Sequence, residues 1–355
     1  MTIPTRSEKR RPAVMADVAQ KAGVSYQTVS RVIHDSPNVR GDTRERVLAA
    51  IRELDYRPNS VARALVTGRS NTLGVVTFDT TLYGPASTLL GIEQAAHDAG
   101  YAMSISSLRS LDRDNVLSAI EQLRAQGVDG VAVIAPLRAG VDALRHVRSD
   151  FAVVAVQAGP NGSIPVATVD QRAGAAAATR HLLNLGHKTV WHLAGPSEWK
   201  EAEERIEGWR SALEDCDAPI PPLLRGDWTP RSGWELGKNL LEIPELSAVF
   251  VANDQMALGL LRRLREAGRE VPRDLSVVGF DDIPEAAYFA PPLTTIRQDF
   301  AELGRRCLRI LLGRIEGEPV PMGVVVAPEL VVRDSTGEYR EAARSATTTK
   351  RRRTI

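Results

Sequence analysis

From Leu73 onward the chain alternates short valine-rich runs with longer amphipathic stretches, and few folds accept that rhythm. The runs LGVVTF, GVAVIA, AVVAV, TVWHLA, AVFVA and LSVVGF are bounded by glycine, proline or polar residues. Continuous apolar runs of this length suit strands buried on both faces. Between them lie ASTLLGIEQAAHDAG, DNVLSAIEQLRAQG, QRAGAAAATRHLLNLG, EERIEGWRSALED and QMALGLLRRLREAG, which carry apolar residues at helical spacing. Strand–helix alternation predicts an α/β, doubly wound body with parallel sheets and crossover helices. A pattern of roughly 260 residues is more than one core organises comfortably, so two lobes are expected. In open α/β sheets ligands bind beyond the carboxyl ends of the strands, which makes the polar residues just after the runs the first site candidates.

The N-terminal part has a different texture. Residues 1–70 hold 13 Lys and Arg against 7 Asp and Glu, 13 − 7 = +6; the remainder holds 32 against 37, 32 − 37 = −5. A small basic module ahead of a mildly acidic body predicts a polyanionic partner at that end. Three short helices are expected there. The first, Met15–Ala22, is ended by Gly23, a residue suited to the left-handed C-cap. Ser25 is a good N-cap for the second, Tyr26–Ile33. The third, Thr43–Leu54, sets Val47, Leu48, Ile51 and Leu54 at helical spacing.

The second helix keeps Val29, Val32 and Ile33 for a core and leaves Tyr26, Gln27, Ser30 and Arg31 for another face. Gln27, Arg31 and His34 follow at i, i+4 and i+7, on one side of one helix. Two short helices joined by a tight glycine-containing turn describe a helix-turn-helix, whose second helix enters the major groove of DNA. Gln can pair with adenine and Arg with guanine in bidentate fashion. A surface helix of a small bundle would show the same burial pattern without touching nucleic acid.

Several classes of chemistry find no support. There is no P-loop, GxSxG or HExxH motif, and no dinucleotide glycine fingerprint, so neither an enzyme nor a cofactor is expected. The six histidines are scattered and the two cysteines, Cys216 and Cys307, lack metal-ligand spacing, so reduced thiols and no metal are expected. No apolar run approaches a membrane span, and the basic N-terminus lacks an apolar signal core, which predicts a cytoplasmic protein.

The stretch MADVAQKAGVSYQTVSRVIHDSPNVRGDTRERVLAAIRELDYRPNSVARAL, with the later blocks GDW, VANDQMALG, SVVGFDD and PPLTTIRQDF, resembles the LacI/GalR family of bacterial repressors from residue 14 to about 335. The resemblance implies a helix-turn-helix domain followed by a periplasmic-binding-protein-like, two-lobed body. Five segments follow: a disordered basic arm (1–13), the DNA-binding domain (14–58), a hinge (59–70), the effector-binding and dimerisation body (71–335) and a disordered tail (336–355). It implies that Tyr26, Gln27 and Arg31 read bases, with His34 on the same face. Ser25, Thr28, Ser30, Asn38 and Thr43 would include phosphate contacts, although Thr28 and Thr43 are equally suited to capping. Leu65 in the hinge would wedge into the minor groove, a known use of apolar side chains.

For the body, the resemblance implies an effector pocket containing Arg205, Asn253 and Asp281, with Trp228 as an aromatic platform. Core packing is the alternative for Trp228, and a strand-end turn or cap the alternative for Asp281; Asp282 is expected to be structural. Gln298 and Phe300 match pocket-wall positions, and Leu82, Gly84 and Pro85 an apolar lining. Gln157 stands where the family pattern has a carboxylate, so the effector need not be a simple galactoside. The expected partners are double-stranded operator DNA, a small sugar and a second copy of the chain. Leucine heptads that extend some members at the C-terminus are missing, so a dimer rather than a tetramer is expected.

Overall fold

The computed structural model describes residues 13–33, 36–56, 68–147, 150–157 and 164–339, and the chain divides into two compact units, Met1–Ser70 and Asn71–Ile355.

The first unit contains three helices, α1 (Met15–Ala22), α2 (Tyr26–Ile33) and α3 (Gly41–Glu53). Gly23 ends α1 in the left-handed conformation, at φ 66°. Ser25 caps α2, its Oγ accepting from the Thr28 amide at 3.2 Å. Val18, Val29, Val32 and Val47 meet in a small core with Ala19, Ala22, Ala50 and Tyr56. Leu48, expected to face inward, is exposed. The inward stripe of α3 runs through Val47, Ala50, Ile51 and Leu54, and Leu48 lies about 100° round the helix from Val47.

The second unit begins with β1 (Thr72–Phe78), α4 (Tyr83–Asp98), β2 (Ala102–Leu108), α5 (Arg113–Ala125), β3 (Gly130–Ile134), α6 (Arg138–Leu144), β4 (Val153–Val156) and β5 (Val166–Val169). It continues with α7 (Gln171–Asn184), β6 (Trp191–Ala194), α8 (Lys200–Glu214), β7 (Leu224–Arg225), α9 (Pro230–Leu241), β8 (Ala248–Val251), α10 (Asp254–Glu266) and β9 (Ser276–Val278). It closes with β10 (Thr295–Arg297), α11 (Phe300–Glu316), β11 (Gly323–Val326) and β12 (Glu329–Val331). One sheet has the order β11-β5-β4-β3-β1-β2 and a second the order β7-β6-β8-β9; every pairing in both is parallel. Two lobes follow, as the alternation requires.

The chain passes between the lobes at three short segments, before α7, before α11, and between β11 and β12, which pairs antiparallel with β10. Gln298 lies in the second of these segments, and Gln171 opens α7 directly after the first. Helix α11 returns to the first lobe and lies on α4 at very short range. A Cβ on Gly91 would strike the Phe300 carbonyl, and one on Gly304 the Gly91 carbonyl.

Residues 336–339, assigned from sequence to a disordered tail, are bound to the body. The Tyr339 amide donates to the Leu185 carbonyl at 2.8 Å and the Gly337 amide to Ser276 Oγ at 3.1 Å. His181 Nε2 and Thr336 Oγ1 lie 2.9 Å apart. Helical periodicity could not reveal a segment held by backbone groups. The arm up to residue 12, His34, residues 57–67 with most of the hinge, and the tail from 340 lie outside the described residues.

Candidate DNA-reading face and ligand cleft

The polar face of α2 is presented outward. Tyr26, Gln27 and Arg31 are exposed, with Val29 and Val32 buried beneath them. Ser25 and Thr28 share a hydroxyl contact of 2.9 Å, so both take part in the cap. Thr43 Oγ1 donates to Asp42 Oδ1 at 3.3 Å, and Asn38 is exposed in the loop before α3. Ser30 is half-buried. His34 and Leu65 lie outside the described residues.

In the body, a cleft of about 240 Å³ opens where the two lobes face each other. Arg205, Trp228, Asn253 and Asp281 from the second lobe line it, with Leu82, Gly84 and Pro85 from the first. These seven come from α8, the loop before α9, the start of α10, the turn after β9 and the start of α4. Four of those five places are loops or helix starts, where the strand-end rule puts ligands; Arg205, inside α8, is the exception.

Arg205 organises the floor. Its Nε donates to Gln171 Oε1 at 2.9 Å and its Nη1 to the Ala252 carbonyl. Nη2 stands 3.6 Å from Asp281 Oδ1, and the guanidinium lies 3.9 Å from the Phe280 ring centroid. Gln171 Nε2 donates to Gln298 Oε1 at 2.8 Å and to Glu201 Oε1 at 3.3 Å. Gln298 Nε2 completes the circuit to Asp281 Oδ1 at 2.7 Å. Gln298 therefore acts from behind the carboxylate. Phe300 is likewise behind the wall, packed edge-on against Tyr83 with ring centroids 5.9 Å apart. Both line a neighbouring depression with Ser87 and Gln94 instead of the cleft itself, which corrects their placement as wall residues: the chain turns at Asp299 into α11 and carries Phe300 under α4.

Asn253 caps α10, accepting from the Met256 amide at 2.9 Å and donating to the Trp228 carbonyl at 3.1 Å. Trp228, at φ 72°, is held by that bond, and its ring fills the space a side chain at Gly195 would need. Its Nε1 has no hydrogen-bond partner among the described residues. Gln157 ends β4 at φ 60°, buried, with neither side-chain atom partnered among the described residues. It stands behind Gly84, its Nε2 3.7 Å from where a Cβ there would sit. Asp282 is structural, bonded to Arg297 at 2.7 Å and Arg333 at 2.6 Å.

Burial sets the electrostatics. It raises Asp281 to about 6 against the opposing pull of Arg205 and Gln298. It raises Glu201 to about 7, with Arg205 pulling down and Asp281 pushing up. Asp254, beneath them, is driven well above the carboxylate range by burial and then by Asp281. Glu201, Trp199, Tyr83 and Gln255 also line the cleft, and the sequence reading missed them. For Glu201 a signal existed: it precedes Arg205 by four residues, on the same helical face. Trp199 meets Trp228 edge-on, ring centroids 5.7 Å apart. No group of three or more His, Cys, Asp or Glu among the described residues could hold a metal, and no helix among them is long and apolar enough to cross a membrane.

A helix-turn-helix unit followed by a two-lobed body with a polar, aromatic cleft defines a transcriptional repressor that answers to a small molecule. Residues 14–59 match the model described as bacterial regulatory proteins, lacI family, and residues 179–336 that of the periplasmic binding protein-like domain. The chain is 36% identical over 334 residues to the HTH-type transcriptional repressor PurR of Haemophilus influenzae (strain PittEE), covering 91% of this chain and 98% of that protein. It is 35% identical over 331 residues to the lactose operon repressor of Escherichia coli (strain K12), covering 92% and 91%. With the regulator CelR of Thermobifida fusca it shares 36% over 342 residues, covering 92% and 99%. A lac repressor dimer bound to operator and the anti-inducer ONPF superposes with a TM-score of 0.81 at 34% identity, covering 92% of this chain and all of that one. The chain belongs to the LacI family of transcriptional repressors, which bind operator DNA and a small effector and form dimers; it is not an enzyme.

Proposed function

We propose that this repressor is released from its operator by a small, galactoside-like sugar held in the cleft between the lobes. The observation that carries the reading is the convergence of Arg205, Asn253 and Asp281 beside Trp228. Charged and amide groups offer dense hydrogen bonding to hydroxyls, and the indole offers an apolar platform for sugar C–H faces. Trp199 widens that platform. The Gln157 amide, behind Gly84, and Trp228 Nε1 are buried and unpartnered among the described residues, polar groups held in reserve beside the cleft.

In this reading the DNA-binding domain spans 14–58, the hinge 59–70 and the effector body 71 to about 339. Tyr26, Gln27 and Arg31 read bases. Ser25, Thr28, Ser30, Asn38 and Thr43 contact phosphates, and His34 and Leu65 complete the DNA contacts. The effector touches Leu82, Pro85, Arg205, Trp228, Asn253 and Asp281, while Gln298 and Phe300 brace that surface from behind. Sugar binding alters how the lobes meet, and the loss of operator affinity is a coupling of about 1–3 kcal/mol that DNA must return to the sugar in equal measure.

A second reading, a purine or other metabolite that strengthens DNA binding, is favoured by the likeness to PurR. Fluorescence anisotropy on a symmetric lac-like operator at fixed salt separates the two. Release by a sugar supports induction; tightening by a purine base refutes it.

A further inference from the structure

Glu201 is a buried carboxyl in the cleft lining whose bonding partner is a neutral amide. Gln171 Nε2 reaches it at 3.3 Å. The guanidinium nearby, Arg205, stands against Asp281 at 3.6 Å, so the lining holds two carboxyls and one arginine. Cations on and near α8 are already engaged: Lys200 with Glu204 at 3.0 Å, Arg225 with Glu203 at 2.9 Å, and Arg138 with Glu203 at 3.9 Å.

We propose that Glu201 sets the charge class of the effector: the cleft takes an uncharged polyhydroxylated ligand and rejects the same sugar once it carries a carboxylate or phosphate. This rests on the sugar reading above and sharpens it. A ligand hydroxyl can donate to Glu201 when it is ionised or accept from it when it is protonated. An anion at the same place meets Glu201 and Asp281 with one arginine between them, in a site where Coulomb repulsion is poorly screened. Burial already drives Glu201 towards its protonated form, so a second anion must enforce that protonation. The groups facing it are Arg205 and Glu204 on its own helix and Asp281 after β9, with Tyr83 at the start of α4 in the same lining. None of these adds a free cation.

The test pairs neutral and anionic forms of one ring: galactose with galacturonate, glucose with glucuronate, titrated by calorimetry into the full chain at pH 6 and pH 8. Both uronates stay ionised across that range, so a pH effect belongs to the protein. Wild type should bind the neutral member at least roughly ten-fold more tightly at pH 8, the scale of a poorly screened like-charge contact, with a smaller gap at pH 6. Glu201→Gln should close most of the gap and Glu201→Asp should keep it. Glu201→Ser repeats the comparison if the glutamine variant folds poorly. Equal binding of both members by wild type, or an unchanged ratio in Glu201→Gln, overturns the proposal. If wild type binds no neutral sugar but Glu201→Gln gains the uronates, charge selection stands and the sugar reading fails. Silence from every variant towards every ligand sinks both.

Discussion

Arg205 and Asp281 face each other at 3.6 Å with side chains 3% and 7% exposed, yet the shortest bond to Asp281 comes from Gln298, at 2.7 Å. The carboxylate is held by an amide that belongs to a segment crossing between the lobes. Through Gln171 a second crossing is tied to the same arginine. A ligand that competes for Asp281 or Arg205 therefore disturbs both crossings at once.

Asp281→Asn keeps the shape of the floor and removes the charge. Hydrogen bonds to charged groups contribute about 1.5–3 kcal/mol, so effector affinity should fall by about 10- to 100-fold while operator affinity without effector stays near wild type. Parallel calorimetry and anisotropy titrations check this. Normal induction by the variant would remove Asp281 from the site.

Glu201 also imposes a pH dependence on stability. Its carboxyl rises from 4.5 to about 7 on folding, so the folded state holds the proton more tightly. The contribution is fully present below pH 4.5 and is lost as pH rises through about 7. The loss is on the order of 3 kcal/mol at most. Urea midpoints of Glu201→Gln should fall less than those of wild type between pH 5 and pH 8. Parallel curves would mean that Glu201 is ionised without cost.

His192 acts with the opposite sign. It is fully buried, stacked 4.5 Å from Phe250, with its Nδ1 2.9 Å from the Phe250 carbonyl. Burial lowers it from 6.5 to about 3, so its share of stability is present above pH 6.5 and is lost as pH falls towards 3. His192→Phe preserves the stack and removes the proton site. Its stability should be lower at neutral pH, from the lost hydrogen bond, but flatter between pH 6.5 and pH 4 by a few kcal/mol. A wild-type slope in the variant would assign the acid limb to other groups.

The two lobes were legible because their central strands are buried on both faces and read as unbroken apolar runs. Strand β2, AMSISSL, was not legible: it lies at a sheet edge and mixes exposed with half-buried residues, none of them fully buried. Helix α11 was overlooked although Leu303, Cys307, Ile310 and Leu311 make a clear stripe, because it follows a run of strand-like segments and belongs to the first lobe. In the cleft, Arg205, Trp228, Asn253 and Asp281 could be placed through the resemblance. Gln171 and Gln298 act through each other across 127 positions, and no local pattern encodes such a pair.

The contact between α4 and α11 depends on two glycines, one in each helix. Gly304→Ala would place a methyl against the Gly91 backbone, which side-chain rearrangement cannot relieve. Overpacking of this kind costs about 1–3 kcal/mol, occasionally more, against a gain of roughly 1 kcal/mol in helix propensity. The unfolding midpoint should therefore fall. A rise would show that the helices separate easily.

On the DNA-binding unit, the exposed Arg31 and the exposed Gln27 share one face of α2, above buried Val29 and Val32. If that face reads bases, Arg31→Ala removes a bidentate contact worth about 1–3 kcal/mol of discrimination and relaxes one operator position. A phosphate contact would behave differently: affinity would fall evenly across sequences and the salt dependence would lose about one unit of slope. Titrating the variant against operators changed at each position, at two salt concentrations, distinguishes these. Loss of discrimination at one position with an unchanged salt slope places Arg31 at a base edge; an even loss with a shallower slope moves it to the backbone and leaves the reading to Tyr26 and Gln27.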